Sequence, residues 1–404
     1  MISFGLSDDQ QMLQETVRKF ATDELRPNLR AFEKARAVPD ELQRRFHDLG
    51  LSLIDVPEAA GGMGMGLSTA VLAHEELAWG DPGAAVALWS VGHLPAAVLE
   101  LGTSDQAARL LDRFSGPGAA HKRGALAWSE AGKSLPEAGF ATTARKDDDH
   151  WVIDGEKAFV INGGIADLYV VFAQIDATAG WRGVAAFAVE GSNPGVKMGA
   201  RCEWLGLETV HAASVRFSSC RVPDDARLLG AAVTEPVAAA RRMFARIAVA
   251  CAARQVGLAR ASYETALAYT QDRIAFGKPV AHFQSISFEL AEMAMEVESA
   301  RWMVWRAAAE LDKGARSALT SVAMAATHAN ELAWAVADDA VQLLGGAGFV
   351  QDYPAEKWMR DAKTLALVGG TDELNRLVVA HAALGKHDDL AAGLPASWIQ
   401  PVVS

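Results

Sequence analysis

The chain has few cysteines and no long apolar run, and each shortage excludes a class of protein. Three cysteines occur in 404 residues, at Cys202, Cys220 and Cys251. Their odd number and wide spacing fit neither a disulfide framework nor a Cys-x-x-Cys metal site, so we expect no metal and a reducing, cytoplasmic environment. No apolar run is long enough for a bilayer, and the first residues do not resemble a secretion signal.

Positive charge is also scarce. The chain carries 38 Lys and Arg against 50 Asp and Glu, for a net charge of −12. Nucleic acids and anionic membranes recruit clustered Lys and Arg, so neither is an expected partner. A content of 50% hydrophobic and 22% charged residues is typical of an ordinary globular protein, and this length predicts two or three domains.

The patterning changes twice along the chain, which predicts three domains and a tail. Residues 1–122 are helical in character, residues 123–233 are rich in short strands, and residues 234–385 are helical again. Residues 386–404 contain Gly and Pro and are expected to be peripheral. The fold class is therefore α+β, mostly α, with an N-terminal helical domain, a small central β-barrel and a C-terminal four-helix bundle.

Local signals place several elements. Ser7 followed by Gln10 predicts a capping box, a second helix is predicted from Pro39 to about Gly50, and Ser68 is the candidate N-cap of a helix over 69–79. Short β-branched and aromatic runs predict strands, and Asp154-Gly155 predicts a hairpin turn; the runs are 141–145, 151–153, 169–173, 184–189 and 214–217. Helices over 236–270, 279–313 and 315–344 are long enough to need partners on several faces, which favours a bundle and oligomerisation as a dimer or tetramer.

Several motifs resemble those of the acyl-CoA dehydrogenases, flavoenzymes that place a double bond between C2 and C3 of an acyl thioester. The resemblance covers nearly the whole chain. In the C-terminal part it rests on Arg273, Phe276-Gly277-Lys278, Gln284, Gln342-Leu-Leu-Gly345-Gly346, Tyr353-Pro-Ala-Glu356-Lys-Trp-Met-Arg360-Asp361 and Val368-Gly369-Gly370-Thr371. It implies FAD as cofactor, an acyl-CoA or acyl-carrier-protein thioester as substrate, and electron-transfer flavoprotein or another electron acceptor as partner.

The resemblance also implies a flavin site shared between two subunits. Arg273, with Phe276 and Gln284 beside it, would reach the diphosphate of a neighbouring subunit's cofactor, since a guanidinium meets phosphate bidentately. The adenosine and diphosphate would lie near Gln342, Gly345, Gly346 and Thr371, and the flavin ring near Trp128, Ser129 and Phe159. The match is weaker in the barrel, because Ile161 stands where the family has a threonine near flavin N5, and the Gly-Ser-Asp part of the loop after Ser129 is lost.

The catalytic base is missing from both positions where the family places it. Gly369 stands where most members have the glutamate that removes the C2 proton, although its backbone N–H could still polarise the thioester carbonyl. A minority of members place the glutamate before an arginine in the first long C-terminal helix, and the pair here is Ala245-Arg246, with Arg246 expected at the substrate. Asp372, Glu373 and Glu130 are the candidate substitutes, but acids in the first turn of a helix also favour its dipole.

Three functions remain open at this point. The first is an FAD-dependent acyl-thioester dehydrogenase homologue that works as one subunit of a hetero-oligomer, in which the partner supplies the glutamate and this chain completes the flavin site. The second is a flavin-dependent oxidase or monooxygenase on the same fold, and the third is a non-catalytic thioester-binding protein.

Overall fold

The computed structural model describes residues 5–131, 139–228 and 236–385. Within them, N-terminal helices precede a curved β-sheet and a C-terminal helix bundle, which confirms the predicted fold class. The strands of the large sheet all lie between residues 124 and 223. The domain limits stay predictions, because the boundary near 233 and the tail 386–404 lie outside the described residues.

The N-terminal region begins with the predicted capping box. Ser7 Oγ accepts a hydrogen bond from Gln10 N at 3.3 Å, and Gln10 Oε1 accepts one from Ser7 N at 3.1 Å. The second predicted helix is also confirmed, and Gly50 follows it with φ +72°. The helices are α1 Asp8–Phe20, α2 Leu29–Ala35, α3 Asp40–Asp48, α4 Leu67–Gly80, α5 Pro82–Leu88, α6 Leu94–Leu101 and α7 Ser104–Leu111.

The predicted N-cap of α4 is wrong. The helix begins at Leu67, and its N-cap position is Gly66, which has no side chain to cap it. The carboxylate of Asp312, far along the chain, accepts hydrogen bonds from the backbone N–H groups of Leu67 and Ser68, each at 2.8 Å. A long-range side chain therefore does what the local serine was expected to do.

Seven strands form a mixed sheet in the order β1-β4-β2-β3-β7-β6, with β5 paired to β4. The predicted hairpin at Asp154-Gly155 is wrong, because both residues lie inside β3 at a shift in its register with β7. The β2–β3 turn falls at Asp148 and Asp149, where Asp148 takes φ +53°. The strands are β1 Gly124–Ala127, β2 Thr143–Asp147, β3 His150–Ile161, β4 Leu168–Gln174, β5 Val184–Glu190, β6 Val196–Arg201 and β7 Ala212–Pro223.

Long helices form the C-terminal region, as predicted. Every fourth residue from Ala325 to Ala337 on α10 is a fully buried alanine, and small side chains at this spacing let α10 pack closely against its neighbours. A short hairpin of β8 Ile274–Ala275 and β9 Lys278–Pro279 follows the first long helix. The helices are α8 Pro236–Asp272, α9 Gln284–Asp312, α10 Ala318–Leu344, α11 Ala355–Val368 and α12 Asp372–Ala383.

The motif around Lys357 connects the three regions. Lys357 Nζ, which is 1% exposed, lies 2.5 Å from Asp81 at the start of α5 and 2.6 Å from Asp361 on α11. Asp361 in turn accepts a hydrogen bond from Leu207 N at 2.6 Å. This buried cluster thus ties α11 to the N-terminal region and to the loop before β7.

Candidate active site

A cavity of about 890 Å³ lies where the edge of the sheet meets the helix bundle. Its walls come from the ends of β1 and β3, the loop before β7, the first turns of α8, the start of α10 and the junction of α11 with α12. Five of the predicted site residues line it, namely Trp128, Ser129, Phe159, Gly369 and Thr371. The structure therefore brings together residues that are up to 243 positions apart in the printed sequence.

The sheet side of the cavity is aromatic. A shift in the register of β3 between Lys157 and Val160 leaves Phe159 at φ +55°, with its ring 64% exposed in the cavity wall. Trp128 stands edge-on to Phe172 and Phe244, with ring centroids 4.7 and 4.8 Å away. A flat, rigid face of this kind suits a planar ligand ring.

Glu130 anchors this wall and does not face the cavity. Its carboxylate accepts hydrogen bonds from Ala141 N at 2.7 Å, from Thr142 N at 2.9 Å and from Lys157 Nζ at 2.9 Å. These bonds hold the pKa of Glu130 below its ordinary value although burial opposes them. Its contacts therefore do not support a role as the base, and the altered loop that follows it, over 132–136, lies outside the described residues.

The turn between α11 and α12 forms another part of the cavity wall. Gly369 keeps helical backbone angles at the end of α11, Gly370 takes φ +108°, and Thr371 occupies the N-cap position of α12. The Thr371 side chain makes no cap hydrogen bond. The N–H groups of the first turn of α12 therefore remain available to a ligand, which suits an anion.

Cys251 on α8 lies directly behind Gly369. A Cβ added at Gly369 would sit 2.8 Å from the Cβ and 3.3 Å from the Sγ of Cys251. Burial raises the pKa of the Cys251 thiol, so the thiol is the stable form. Glycine at 369 therefore removes the carboxylate and also leaves room for Cys251. The sequence alone could not show this contact, because the two residues are far apart along the chain.

Acidic groups are scarce around the cavity. Among the described residues that line it, Glu203 is the single carboxylate, and it is largely exposed at the rim in an ion pair with Arg36. Asp372 and Glu373 do not line the cavity, and Asp372 accepts a hydrogen bond from Asn330 at 2.8 Å. The contacts of Glu203 and Asp372 therefore do not support either residue as a substitute base.

Ala245 lines the cavity, whereas Arg246 faces the other side of α8. Its guanidinium lies 2.7 Å from Asp55 and 3.6 Å from Glu100. The predicted contact of Arg246 with substrate in the main cavity is therefore not supported. Arg241, Arg316 and Lys363, which sequence reasoning missed, are the cations that line the cavity among the described residues.

The residues present fit FAD. The cavity combines the aromatic face of Phe159, the hydroxyl of Ser129, three cations and a helix start. Open space surrounds the position where a Cβ would stand at Gly370, so a ligand can approach the backbone there. The fit is incomplete at Ile161, an apolar cavity residue with no hydroxyl to offer.

A second group of predicted residues lies on the outer surface and does not line the cavity. Arg273, Phe276 and Gln284 lie on and beside the β8–β9 hairpin, and Phe276 is 96% exposed. Gln342, Gly345 and Gly346 are exposed at the end of α10, and a Cβ at either glycine would meet nothing within 4 Å. We call these six residues the outer set.

No helix of the described residues is both long and apolar enough to cross a membrane. In the same part of the chain, no group of three or more His, Cys, Asp or Glu side chains could hold a metal ion.

The fold, together with a cavity whose residues fit FAD, is that of a flavin-dependent oxidoreductase, and the family models agree. Family models for the N-terminal, middle and C-terminal domains of acyl-CoA dehydrogenases match residues 7–116, 125–220 and 237–384. The chain belongs to the acyl-CoA dehydrogenase family, whose enzymes act on CH–CH groups.

Curated relatives and solved structures agree with this assignment. The chain is 35% identical to the rat short-chain specific acyl-CoA dehydrogenase, covering 94% of this chain and 90% of the rat protein. Butyryl-CoA dehydrogenase from Megasphaera elsdenii has a TM-score of 0.88 and 32% identity, covering 95% of this chain and 100% of its own. A Mycobacterium smegmatis glutaryl-CoA dehydrogenase in complex with FADH2 has a TM-score of 0.84 and 26% identity, over 94% and 95% of the two chains.

Proposed function

We propose that this chain binds FAD and an acyl-CoA or acyl-carrier-protein thioester in the main cavity, as a subunit of a dehydrogenase acting between C2 and C3. The observation that supports this most is that one cavity is lined both by an aromatic strand edge and by bare backbone. The aromatic edge at Phe159 suits the flavin ring, and the turn at Gly369 and Gly370 brings bare backbone to the same cavity. FAD held there would supply the acceptor for the hydride that leaves C3.

This chain's own residues bind and orient the thioester but do not remove its C2 proton. Proton abstraction needs a carboxylate within hydrogen-bond reach of C2. Residue 369 has no side chain, and Glu203 is paired at the rim. The α8 residues that line the cavity are Arg241 and the apolar residues at 244, 245, 247 and 248, so α8 brings no carboxylate to it. Apolar walls exclude water and strengthen backbone dipoles, which suits binding of the thioester carbonyl.

The outer set supports a role for the chain as one subunit of an oligomer. The outer set does not line this chain's own cavity. Its guanidinium, its exposed amide and its bare glycine backbone are groups that can cradle a diphosphate. We therefore assign the outer set to the FAD of a neighbouring subunit. That neighbour is a homologous chain that carries the glutamate, with electron-transfer flavoprotein or another acceptor taking up the electrons.

Purification alone and with a glutamate-carrying homologue tests this function. We expect the mixed assembly to hold flavin and to oxidise acyl-CoA, and Arg273→Ala in this chain to lower the flavin content of the assembly. Arg44→Ala, which removes an exposed arginine of α3, is the matched control and should leave flavin content unchanged. A flavin-loaded, active homomer would contradict the hetero-oligomer, and oxygen uptake driven by a reductase would favour an oxidase or monooxygenase instead.

A further inference from the structure

A small chamber of about 50 Å³ adjoins the main cavity on the side of α4 and α6. His93, Ile161 and Ile247 line both spaces, so these three residues form the passage between them. The far end of a ligand that occupies the main cavity can therefore enter the chamber.

A buried arginine without an acidic partner stands in the chamber wall. Arg254 on α8 is 4% exposed, and its Nε has no hydrogen-bond partner. Among the described residues no carboxylate pairs with it; its Nη1 lies 4.0 Å from Cys251 Sγ, and its guanidinium lies 5.6 Å from the ring centroid of Trp89. Burying an uncompensated charge is costly, so a ligand that supplies the counter-charge would relieve that cost.

Two neutral imidazoles complete the chamber. Burial, together with the positive charge of Arg254, lowers the pKa of His74 and that of His93, the latter to about 3. Both rings are therefore uncharged near neutral pH and can each donate one N–H. The ring centroids of His74 and Trp89 lie 3.9 Å apart with the ring planes tilted by 38°, and His74 Nδ1 has no hydrogen-bond partner.

The remaining charges of the chamber cancel. Asp55 and Arg246 both line it, and they form an ion pair with each other at 2.7 Å. Glu100 lies behind Arg246 at 3.6 Å and also pairs with Arg242 at 2.8 Å. Arg254 therefore leaves the chamber with one unbalanced positive charge.

We propose that the chamber binds a carboxylate at the far end of the acyl chain, so that the ligand of the main cavity is the thioester of a short dicarboxylic acid. Arg254 forms the ion pair, and the imidazoles of His74 and His93 donate hydrogen bonds to the same group. The acyl chain is short because Cys251 spans the distance, with its Sγ 3.3 Å from the Cβ position at Gly369 and 4.0 Å from Arg254 Nη1. The inference rests on the proposed function in one respect, that the main cavity holds the thioester.

Calorimetric binding of glutaryl-CoA and valeryl-CoA, which have equal carbon counts, tests the proposal on the purified protein. We expect wild type to bind glutaryl-CoA tighter by about 10- to 100-fold, the range for a charged hydrogen bond in a buried site. Arg254→Met should abolish this preference. Arg316→Met removes a cavity cation outside the chamber and should change the affinity for both thioesters by the same factor.

Thermal melting separates ligand binding from a structural role. If Arg254 serves the ligand, ligand-free Arg254→Met melts no lower than wild type, because an unpaired buried charge has been removed. A lower melting temperature with the glutaryl preference retained would make Arg254 structural and overturn the proposal. The comparison of the two thioesters on wild type needs no variant, so a misfolded variant does not affect it.

Three further binding results would each decide against one part of the account. If wild type binds both thioesters equally, the dicarboxylate inference fails while the proposed function stands. If it binds neither, the proposed function fails first. If acetate or inorganic phosphate binds in an Arg254-dependent way and glutaryl-CoA shows no preference, the chamber is a site for free small anions and the proposal is overturned.

Discussion

Gly369 and Cys251 act as one unit at the scale of single residues. The helix α8 presents Cys251 to the turn at 369 so closely that a Cβ there would lie 2.8 Å from the cysteine Cβ. Real Cβ atoms do not approach backbone-fixed atoms so closely, and relief requires a shift of α8 or of the turn. The missing carboxylate is thus accompanied by packing that opposes its simple restoration.

Restoring the glutamate therefore needs two substitutions. We expect Gly369→Glu alone to lower the melting temperature and to yield little flavin reduction by butyryl-CoA. Adding Cys251→Gly removes the opposing Cβ, and the double variant should reduce flavin at least about 100-fold faster than wild type, the lower range for a general base. Cys251→Gly alone is the control; equal rates in all four proteins would show that the thioester does not lie at residue 369.

His93 should make stability depend on pH. Its pKa is about 3 in the folded chain, below the ordinary value of 6.5. As pH falls below 6.5, His93 takes up a proton in the unfolded chain but not in the folded chain. The folded state is therefore progressively destabilised relative to the unfolded state as pH falls from 6.5 towards 3. We expect the melting temperature of wild type to drop more steeply than that of His93→Asn between pH 6.5 and 5, and parallel curves would contradict the neutral, buried imidazole.

At the scale of secondary-structure elements, the start of α4 depends on a contact with α9. Its first N–H groups are satisfied by Asp312 on α9 and not by a local cap. We expect Asp312→Ala to cost about 1–2 kcal/mol, as N-cap removals do, and to lower the melting temperature. The exposed Asp23→Ala is a matched acidic control; similar losses in both variants would show that the cap contributes little.

Local signals predict elements well when the partner is near in sequence. The Ser7–Gln10 capping box and the helix ending near Gly50 depend on neighbouring residues, and both are confirmed. The predicted N-cap of α4 is wrong because the capping group is Asp312, which is distant in sequence. The predicted hairpin at Asp154-Gly155 is wrong because β3 continues through both residues, with a shift in its register to β7. The main cavity was partly predictable through family motifs, whereas Arg254 is recognisable only once its buried surroundings are assembled.

The whole molecule depends on the cluster around Lys357. Removing the lysine would leave Asp81 and Asp361 buried without their counter-charge, and Asp361 also holds Leu207 N. We expect Lys357→Met to cost about 3–5 kcal/mol, the range for one lost partner of a buried ion pair, and to lower flavin content because the α11–α12 turn moves. The exposed Lys34→Met is the control; an unchanged melting temperature for Lys357→Met would refute the cluster's role.

At the scale of the assembly, the outer set and the missing base both favour a hetero-oligomer with a glutamate-carrying homologue. The most direct measurement is an anaerobic titration of this chain alone, reconstituted with FAD, with a panel of acyl-CoA thioesters, following the visible flavin band. We predict that the thioesters perturb the band without bleaching it, and that bleaching begins when the glutamate-carrying homologue is present. Rapid bleaching by the chain alone would contradict the claim that it binds the thioester without a base of its own.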